Sequence, residues 1–384
     1  MFTGGEEMIQ EEKVYKDLQR HLDKQPVGYP ATKSGADIRL LRRFFEPEEA
    51  ELAMKLSYKP KTAQEIFDGI KQSGISLKQM EEMLEGMLKK GVIGHMEREK
   101  ARYFFNVPLV VGMYEGQLNK LTPEFLADFD EYTRDRAFGL EFLATALPQM
   151  RTIPVARSIT PEHHVATYDQ LTRLLMESDG PTVVNECICR QAAKIRGKEC
   201  RKTTRMETCM ALGDIAKNCI RVGLGRQVSK EEALAIARSN EEEGLVLQPS
   251  NAQEAEFLCA CCGCCCGMLA VHKALPRPVA FWATNYHASV DPDECTGCGT
   301  CEERCQVDAI KVDDTEGISK VNLDRCIGCG NCVTTCPSEA VHLEKKEEEA
   351  RPPETNEDLY DIIMANKKGK LGKLKLAARL ILKK

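Results

Sequence analysis

The sequence predicts an α+β multidomain chain: a small helical module ending in a hairpin, a central mixed α/β domain rich in cysteine, and a short C-terminal module built from a repeat. Three observations carry this. Helix-capping boxes and one long apolar stripe lie between residues 47 and 90, all 19 cysteines fall between Cys187 and Cys336, and the last eight of them recur at a constant offset. At roughly 150 residues per domain, 384 residues make two to three domains, and 42% apolar residues suffice for a core in each. That composition excludes a disordered or fibrous chain. With only 6% aromatic residues, the cores must be built from Ile, Leu, Val, Met and Ala, which favours helices.

Residues 1–46 are polar, with Pro26, Gly28, Pro30 and Gly35 as breakers, and read as an N-terminal arm or short helix. From Glu48 the helical period sets in with Leu52 and Leu56. Thr62-Ala-Gln-Glu65 and Ser76-Leu-Lys-Gln79 are capping boxes that open two further helices. In the second of these, Leu77, Met80, Met83, Leu84, Met87 and Leu88 form a single apolar stripe that ends at Lys89-Lys90-Gly91. Val92-Ile93-Gly94 and Arg102-Tyr-Phe-Phe105 then read as two β segments around the charged tip Glu97-Arg-Glu-Lys100. Three helices and a hairpin resemble a winged helix-turn-helix, assigned to residues 47–117.

Residues 118–275 read as the mixed α/β domain. Thr122-Pro123 and Thr160-Pro161 each place an N-cap before a proline at the first helical position. Strands are expected at 152–155 and 182–185, and helices at 206–220 and 230–242. Residues 276–345 comprise a Pro-containing linker over 276–288 and a small regular module after it, against which Trp282 is expected to pack. Residues 346–384 form a charged tail, with a short helix at 356–365.

The repeat is the most specific signal. Cys295-x2-Cys298-x2-Cys301-x3-Cys305 recurs 31 residues later as Cys326-x2-Cys329-x2-Cys332-x3-Cys336, and Val290, Asp293, Gly297, Gly299 and Ala309 recur as Val321, Asp324, Gly328, Gly330 and Ala340. Thiolates spaced by two residues can wrap the irons of one cubane, and the glycines admit backbone N–H groups close to the sulfides. These residues resemble the bacterial-type ferredoxin with two [4Fe–4S] clusters, over residues 288–345. The resemblance implies a βαββαβ fold in which the fourth Cys of each run ligates the other cluster. Cluster one would then take Cys295, Cys298, Cys301 and Cys336, and cluster two Cys305, Cys326, Cys329 and Cys332. Gln306 departs from the family, which usually has Pro after that cysteine. A zinc ribbon would show two CxxC pairs rather than two runs of four.

A second cysteine field precedes it: Cys187-Ile-Cys189-Arg190, Cys200, Cys209, Cys219 and the run Cys259-Ala-Cys261-Cys262-Gly-Cys264-Cys265-Cys266. Adjacent thiolates repel unless a cation sits among them, so the run argues for metal. Residues 187–226 carry ten Lys or Arg against three acids, a net of +7 that would offset a negatively charged cluster. The pattern resembles 4Fe–4S binding proteins of anaerobic bacteria and archaea, in which it precedes a two-cluster ferredoxin module. A third Fe–S cluster is expected, with ligands drawn from Cys187, Cys189, Cys200, Cys209, Cys259, Cys261, Cys262, Cys264, Cys265 and Cys266. Cys219, on an apolar helix face, is expected to be inert. Cys261-Cys262-Gly263 matches a fragment of the heterodisulfide reductase motif, so a noncubane cluster is the alternative.

The net charge of −6 leaves no general affinity for nucleic acid. Residues 59–105 hold nine bases against seven acids, and the helix after Ser76 has no Arg, a poor reader of the major groove. DNA is therefore the disfavoured partner of the hairpin module, and protein docking or homo-oligomerisation the favoured role. The tail from Lys367 has eight basic residues and no acid, with Leu371, Leu374, Ala378, Ile381 and Leu382 on one face. A basic helix of this kind can contact a membrane surface or an acidic partner. No apolar leader opens the sequence, so a reducing cytoplasm is the expected location. Neither GxGxxG nor GxxxxGK[ST] occurs, and His163-His164 reads as a surface pair. The function read from all this is single-electron relay to a partner oxidoreductase, as a carrier or subunit rather than a free-standing enzyme. Two alternatives stay open: a redox-sensing winged-helix transcriptional regulator, and a reductase with its chemistry at the central cluster.

Overall fold

The structure, a computed structural model, describes residues 4–70 and 74–382. Residues 1–3 of the arm, residues 71–73 of the hairpin module and Lys383 and Lys384 of the tail lie outside the described residues. The chain divides into two compact units, one of Met1–Ala146 with Tyr360–Leu382, the other essentially Leu147–Leu359. The sequence-drawn boundaries after residues 46, 117, 275 and 345 all fall inside these units.

The expected arm is instead two helices, α1 (Gly4–Asp23) and α2 (Ala36–Phe44). Val14, Leu18 and Leu22 recur every fourth residue and are buried along α1, while α2 buries Leu40, Leu41 and Phe44. The breakers at 26–35 merely join the two. Tyr15 Oη donates to Phe45 O at 2.8 Å and Gln19 Nε2 to Tyr29 O at 2.6 Å, so the polar residues of α1 are tied into the unit. Next come α3 (Pro47–Ala53), β1 (Lys61–Thr62), α4 (Ala63–Asp68), α5 (Leu77–Lys90), β2 (Ile93–Arg98) and β3 (Ala101–Asn106), with strand order β1-β3-β2. Both capping boxes form. The stripe of α5 buries Met80, Leu84, Met87 and Leu88, and Gly91 ends the helix at φ +76°, a conformation open to glycine without strain. Thr122 caps α6 (Pro123–Thr133), whose Asp128 accepts from Arg39 at 2.7 Å and Arg43 at 2.8 Å; α7 (Arg136–Leu143) follows.

In the second unit the central elements are α8 (Leu171–Met176), β4 (Thr182–Glu186), α9 (Ile188–Ile195), β5 (Glu207–Leu212), α10 (Gly213–Val222), β6 (Arg226–Val228), α11 (Lys230–Glu242), β7 (Val246–Pro249), β8 (Phe257–Cys261) and α12 (Gly267–Ala274). Their sheet runs β6-β4-β5-β8-β7 and every neighbouring pair is antiparallel. Val184, Met210, Leu212, Leu258 and Ala260 point to one face, where they pack with Leu174 and Leu175 of α8 and Ala233 and Ala237 of α11. Val183 and Ala211 point to the other, against Ala216 and Cys219 of α10.

Three expectations are corrected in this unit. Residues 206–220 are not one helix, because the two-residue alternation of Thr208, Met210 and Leu212 makes a strand, and Gly213, at φ +54°, turns the chain into α10. Residues 152–155 form no strand, although isolated bridges pair Met150 with Ser250 and Arg151 with Ala283 beside them. Thr160-Pro161 opens only a 3₁₀ turn, Pro161–His163.

The unit closes with β9 (Tyr286–Val290), α13 (Thr300–Arg304), β10 (Ile310–Val312), β11 (Ser319–Val321) and β12 (Val341–Lys345). These elements share a core with the central sheet, since Val246, Cys261, Cys266 and Leu269 pack with Ala288, Val307, Ile310, Ile327 and Val341. Trp282 packs on that core, donating from Nε1 to Thr152 Oγ1 at 2.8 Å and meeting His272 edge to face at 5.1 Å.

The tail contains α14 (Asn356–Ala365) and α15 (Lys370–Leu382). In α15, Leu376 and Ala377 are buried whereas Leu371 and Leu374 are 77% and 67% exposed, the reverse of the face drawn from sequence. The cause is a buried carboxylate. Glu141 of α7 pairs with Lys373 and, at 3.1 Å, with Lys367, while Lys368 Nζ donates to Ala144 O at 3.0 Å. Lys373 of this helix and the lysines just before it turn inward, and two leucines are left outside.

Candidate metal centres

The two cysteine runs of the repeat fold as near-copies related by exchange. Strand β9 pairs with β12, placing Val290 opposite Val341, and β10 pairs with β11, placing Ile310 opposite Val321; adding 31 to Val290 and subtracting 31 from Val341 turns the first pairing into the second. Backbone donors follow the same rule. Ser319 N–H reaches Cys295 Sγ at 3.4 Å and Ala288 N–H reaches Cys326 Sγ at 3.3 Å, each a donor from one half to a thiol of the other. Gly297 and Gly328 both have left-handed backbones, and a Cβ on either would lie 2.0 Å from Gly317 O or 2.2 Å from Tyr286 O. Only glycine fits there, which is why these positions recur with the cysteines. Cys305 ends α13 and Cys336 ends the 3₁₀ turn Val333–Thr335, which stands where the expected fold has a second α-helix.

The thiols of the two sets differ in setting. Cys305, Cys326, Cys329 and Cys332 line one cavity whose walls include Ala288, Val307, Ile310, Val321 and Ile327. Burial pushes the Cys326 and Cys332 thiols up and Cys329 to about 12. In the other set Cys298 is exposed and Cys295 half-buried. The Ser319 N–H holds the Cys295 thiol below its usual value, and the Thr300 hydroxyl does so for Cys298. Cys301 is buried, which raises it, with its sulfur 3.2 Å from Ser319 Oγ, and Cys336 Sγ is 3.7 Å from Ser338 Oγ. Four thiols converging on a dry cavity with backbone N–H groups aimed at sulfur suit an inorganic cluster, whose bridging sulfides need donors and low solvation.

The central field separates into two groups. Cys200, Cys262, Cys264 and Cys265 have all four sulfurs within 4.8 Å of one another. Cys187, Cys189, Cys266, Cys261, Cys259 and Cys209 form a closed ring, each thiol interacting with the next and the last with the first. Sheet register explains the ring. Met210 faces Leu258 across β5 and β8, so Cys209 falls beside Cys259, and Cys261 follows on the same face of β8. Cys187 and Cys266 are the N-caps of α9 and α12, and Cys189 lies in the first turn of α9. Thiol–thiol contacts and burial push Cys189, Cys259, Cys261 and Cys266 up and Cys187 to about 12, whereas Cys209, accepting from Cys187 and Cys259, is held down.

Arg190 stands between the two groups. It is 2% exposed and donates to Thr208 Oγ1 and, at 3.2 Å, to Ala260 O. Sulfurs of Cys187, Cys200, Cys209 and Cys262 surround its charge. Against the burial that would raise it, the Lys202 and Thr203 N–H groups and Arg190 bring Cys200 down to about 6; burial raises Cys262 to about 12. Cys219 belongs to neither group and packs under α10, its sulfur 3.9 Å from Asn185 Nδ2. The sequence showed the thiols but not their division, although alternation along Cys259-Ala-Cys261 and Thr208-Cys209-Met210 was a usable signal.

Gln306, the departure from the ferredoxin pattern, is 2% exposed and accepts from Gly263 N–H at 2.8 Å. A Cβ at Gly263 would lie 2.2 Å from Gln306 O. The residue after Cys305 thus holds the loop that carries Cys262, Cys264 and Cys265.

The description of a 4Fe-4S dicluster domain matches residues 287–337, spanning both cysteine runs of the repeat. No curated protein and no solved structure matches the chain. The C-terminal module is therefore a ferredoxin-like iron–sulfur domain that holds 4Fe-4S clusters, and the cysteine groups before it support additional Fe–S binding. Both features fit an iron–sulfur protein suited to electron transfer. Among the described residues no helix is long and apolar enough to cross a membrane.

Proposed function

We propose that the chain relays single electrons between a partner oxidoreductase and a cluster in its own central domain, working in a reducing cytoplasm where its cysteines form no disulfides and are available to metal. Cys295, Cys298, Cys301 and Cys336 would hold one [4Fe–4S] cluster and Cys305, Cys326, Cys329 and Cys332 the second, each set drawing its fourth thiol from the other half. A third would take its ligands from the six-thiol ring of Cys187, Cys189, Cys209, Cys259, Cys261 and Cys266. Bound at these sites, [4Fe–4S] clusters supply one-electron chemistry near neutral pH.

The observation that carries this reading is the exchanged pairing of the two halves, which gives every thiol quartet a backbone donor from across the repeat. Cys298 at the surface marks where a redox partner would dock, and the apolar walls around Cys305, Cys326, Cys329 and Cys332 exclude water from the second quartet. The helices and three-stranded sheet over residues 47–106 suit a winged helix used for protein docking or self-association rather than for DNA. Lys90 is 2.5 Å from Glu49, and Arg102 is paired with Glu85, so these cations face carboxylates instead of phosphate. The exposed Leu371 and Leu374 of α15 would serve a docking partner or a membrane surface.

Anaerobic purification with iron and sulfide counting, followed by EPR after dithionite reduction, tests the proposal. The expected result is about twelve acid-labile sulfides with matching iron, three cubanes of four. A colourless preparation without sulfide would overturn it.

A further inference from the structure

The sulfurs of the four-thiol group touch. Cys200 Sγ is 3.6 Å from Cys262 Sγ and 3.7 Å from Cys264 Sγ, and Cys264 Sγ is 3.7 Å from Cys265 Sγ. A tetrahedral ion bound to thiolates at about 2.3 Å has sulfur–sulfur edges of about 3.8 Å. Thiolates around a cubane bind four different irons and are held apart by the inorganic core. The rest of the chain shows that contrast. Among the described residues, no three of the eight ferredoxin-module thiols and no three of the six ring thiols approach within 4.8 Å of one another, as all four of this group do.

From this spacing we infer that Cys200, Cys262, Cys264 and Cys265 bind one thiophilic tetrahedral ion, zinc or iron, as a mononuclear site separate from every iron–sulfur cluster. Four thiolates on a divalent ion leave two negative charges, and the charge of Arg190 lies against Cys200 and Cys262 to offset part of them. Besides the uncharged Thr208 Oγ1 and Ala260 O, Arg190 hydrogen-bonds Cys200, and with Glu243 as the carboxylate that feels its charge, sulfur is the nearest site for its compensation. The binding loop is prepared in advance. Cys265 N–H and Cys266 N–H both donate to Cys262 O, at 3.3 and 3.1 Å, and Gln306 fixes Gly263. With four protein ligands the ion has no open position, which makes the site structural rather than catalytic. It pins the loop of Cys262, Cys264 and Cys265 to Cys200.

The inference is independent of the electron-relay proposal, and its test separates the two. In full-length protein purified without oxygen, zinc plus iron should exceed acid-labile sulfide by one atom per chain, because each cubane contributes equal iron and sulfide. Loss of clusters lowers both equally and leaves that excess in place. An excess of zero overturns the mononuclear site. The double variant C264S/C265S should lose one metal atom per chain with sulfide and the reduced EPR signals unchanged. Loss of iron and sulfide together in equal number, or no loss of metal, would overturn it. Where the excess metal is zinc, X-ray absorption at the zinc edge of the unmodified chain should give four sulfurs at about 2.3 Å and no short metal–metal vector, and needs no variant to fold; where it is iron, the difference between the unmodified chain and C264S/C265S carries the test. A metal–metal vector at the zinc edge would count against the inference, and the element in excess decides between zinc and iron.

Discussion

Two halves with the same cysteine spacing make unlike surroundings for their thiols. Cys298 stands in solvent and donors at Cys295 and Cys298 favour the thiolate, whereas Cys326, Cys329 and Cys332 sit in an apolar cavity that disfavours it. Spacing alone fixes which sulfurs can converge. What lies behind them fixes solvation, and here the second quartet is backed by the central domain: Val155 N–H donates to Cys329 O at 3.0 Å, and Asn331 Nδ2 to Gly244 O at 3.1 Å. A ligand set that faces water suits exchange with a partner, and one sealed against its own chain suits transfer inward.

The largest test of that difference is Cys329→Ala. Removing a ligand from the sealed set should cost about four irons and four sulfides per chain, read by metal and sulfide analysis, while the EPR signal of the exposed set and of the central domain persists. Loss of all signals together would mean that the halves cannot be told apart by substitution. Bleaching by ferricyanide should be biphasic, with the faster phase belonging to the exposed quartet, and Cys298→Ser should abolish that fast phase and leave the slow one. A single phase in the unmodified protein would erase the contrast.

A pH dependence tests the backing of the sealed set. His272 of α12 is fully buried against Trp282, and burial, aided by the nearby Arg325 charge, lowers its pKa to about 4. The unfolded chain takes up this proton near pH 6.5 but the folded chain does not. This contribution to stability is therefore complete above pH 6.5 and is lost as pH falls toward 4, by up to roughly 2–3 kcal/mol. Urea unfolding between pH 7 and pH 5 should show the decline, and His272→Leu should flatten it. The smallest expected effect concerns the positions after the fourth cysteines, Gln306 in one half and Pro337 in the other. Gln306→Ala removes the acceptor of Gly263 N–H and should cost about 1–2 kcal/mol in the same assay, whereas Pro337→Ala should leave that loop unaffected.

Much of the site was legible because metal ligation imposes fixed sequence intervals. The cysteine runs, their glycines and the capping boxes at Thr62 and Ser76 are local patterns, and each appears in the fold as a local feature. The division of the central thiols was not legible, because it depends on strand register and on which loop meets Cys200, both long-range. The amphipathic tail misled for a related reason: a single buried acid, Glu141, outweighed the apolar periodicity in deciding which face of α15 turns inward. In the first 46 residues the Pro and Gly between α1 and α2 dominate the local pattern, whereas the burial of Val14, Leu18 and Leu22 depends on partners far along the chain.

The exchanged strands carry one more consequence. Since β9 pairs with β12, and Cys295 adds to the Gly297 N–H of its own half a donor from Ser319 in the other, each repeat supplies what its partner repeat lacks. The turn at Asp313–Gly317, closed by the Gly317 N–H donating to Asp313 O at 2.8 Å, joins the two complementary copies in one polypeptide.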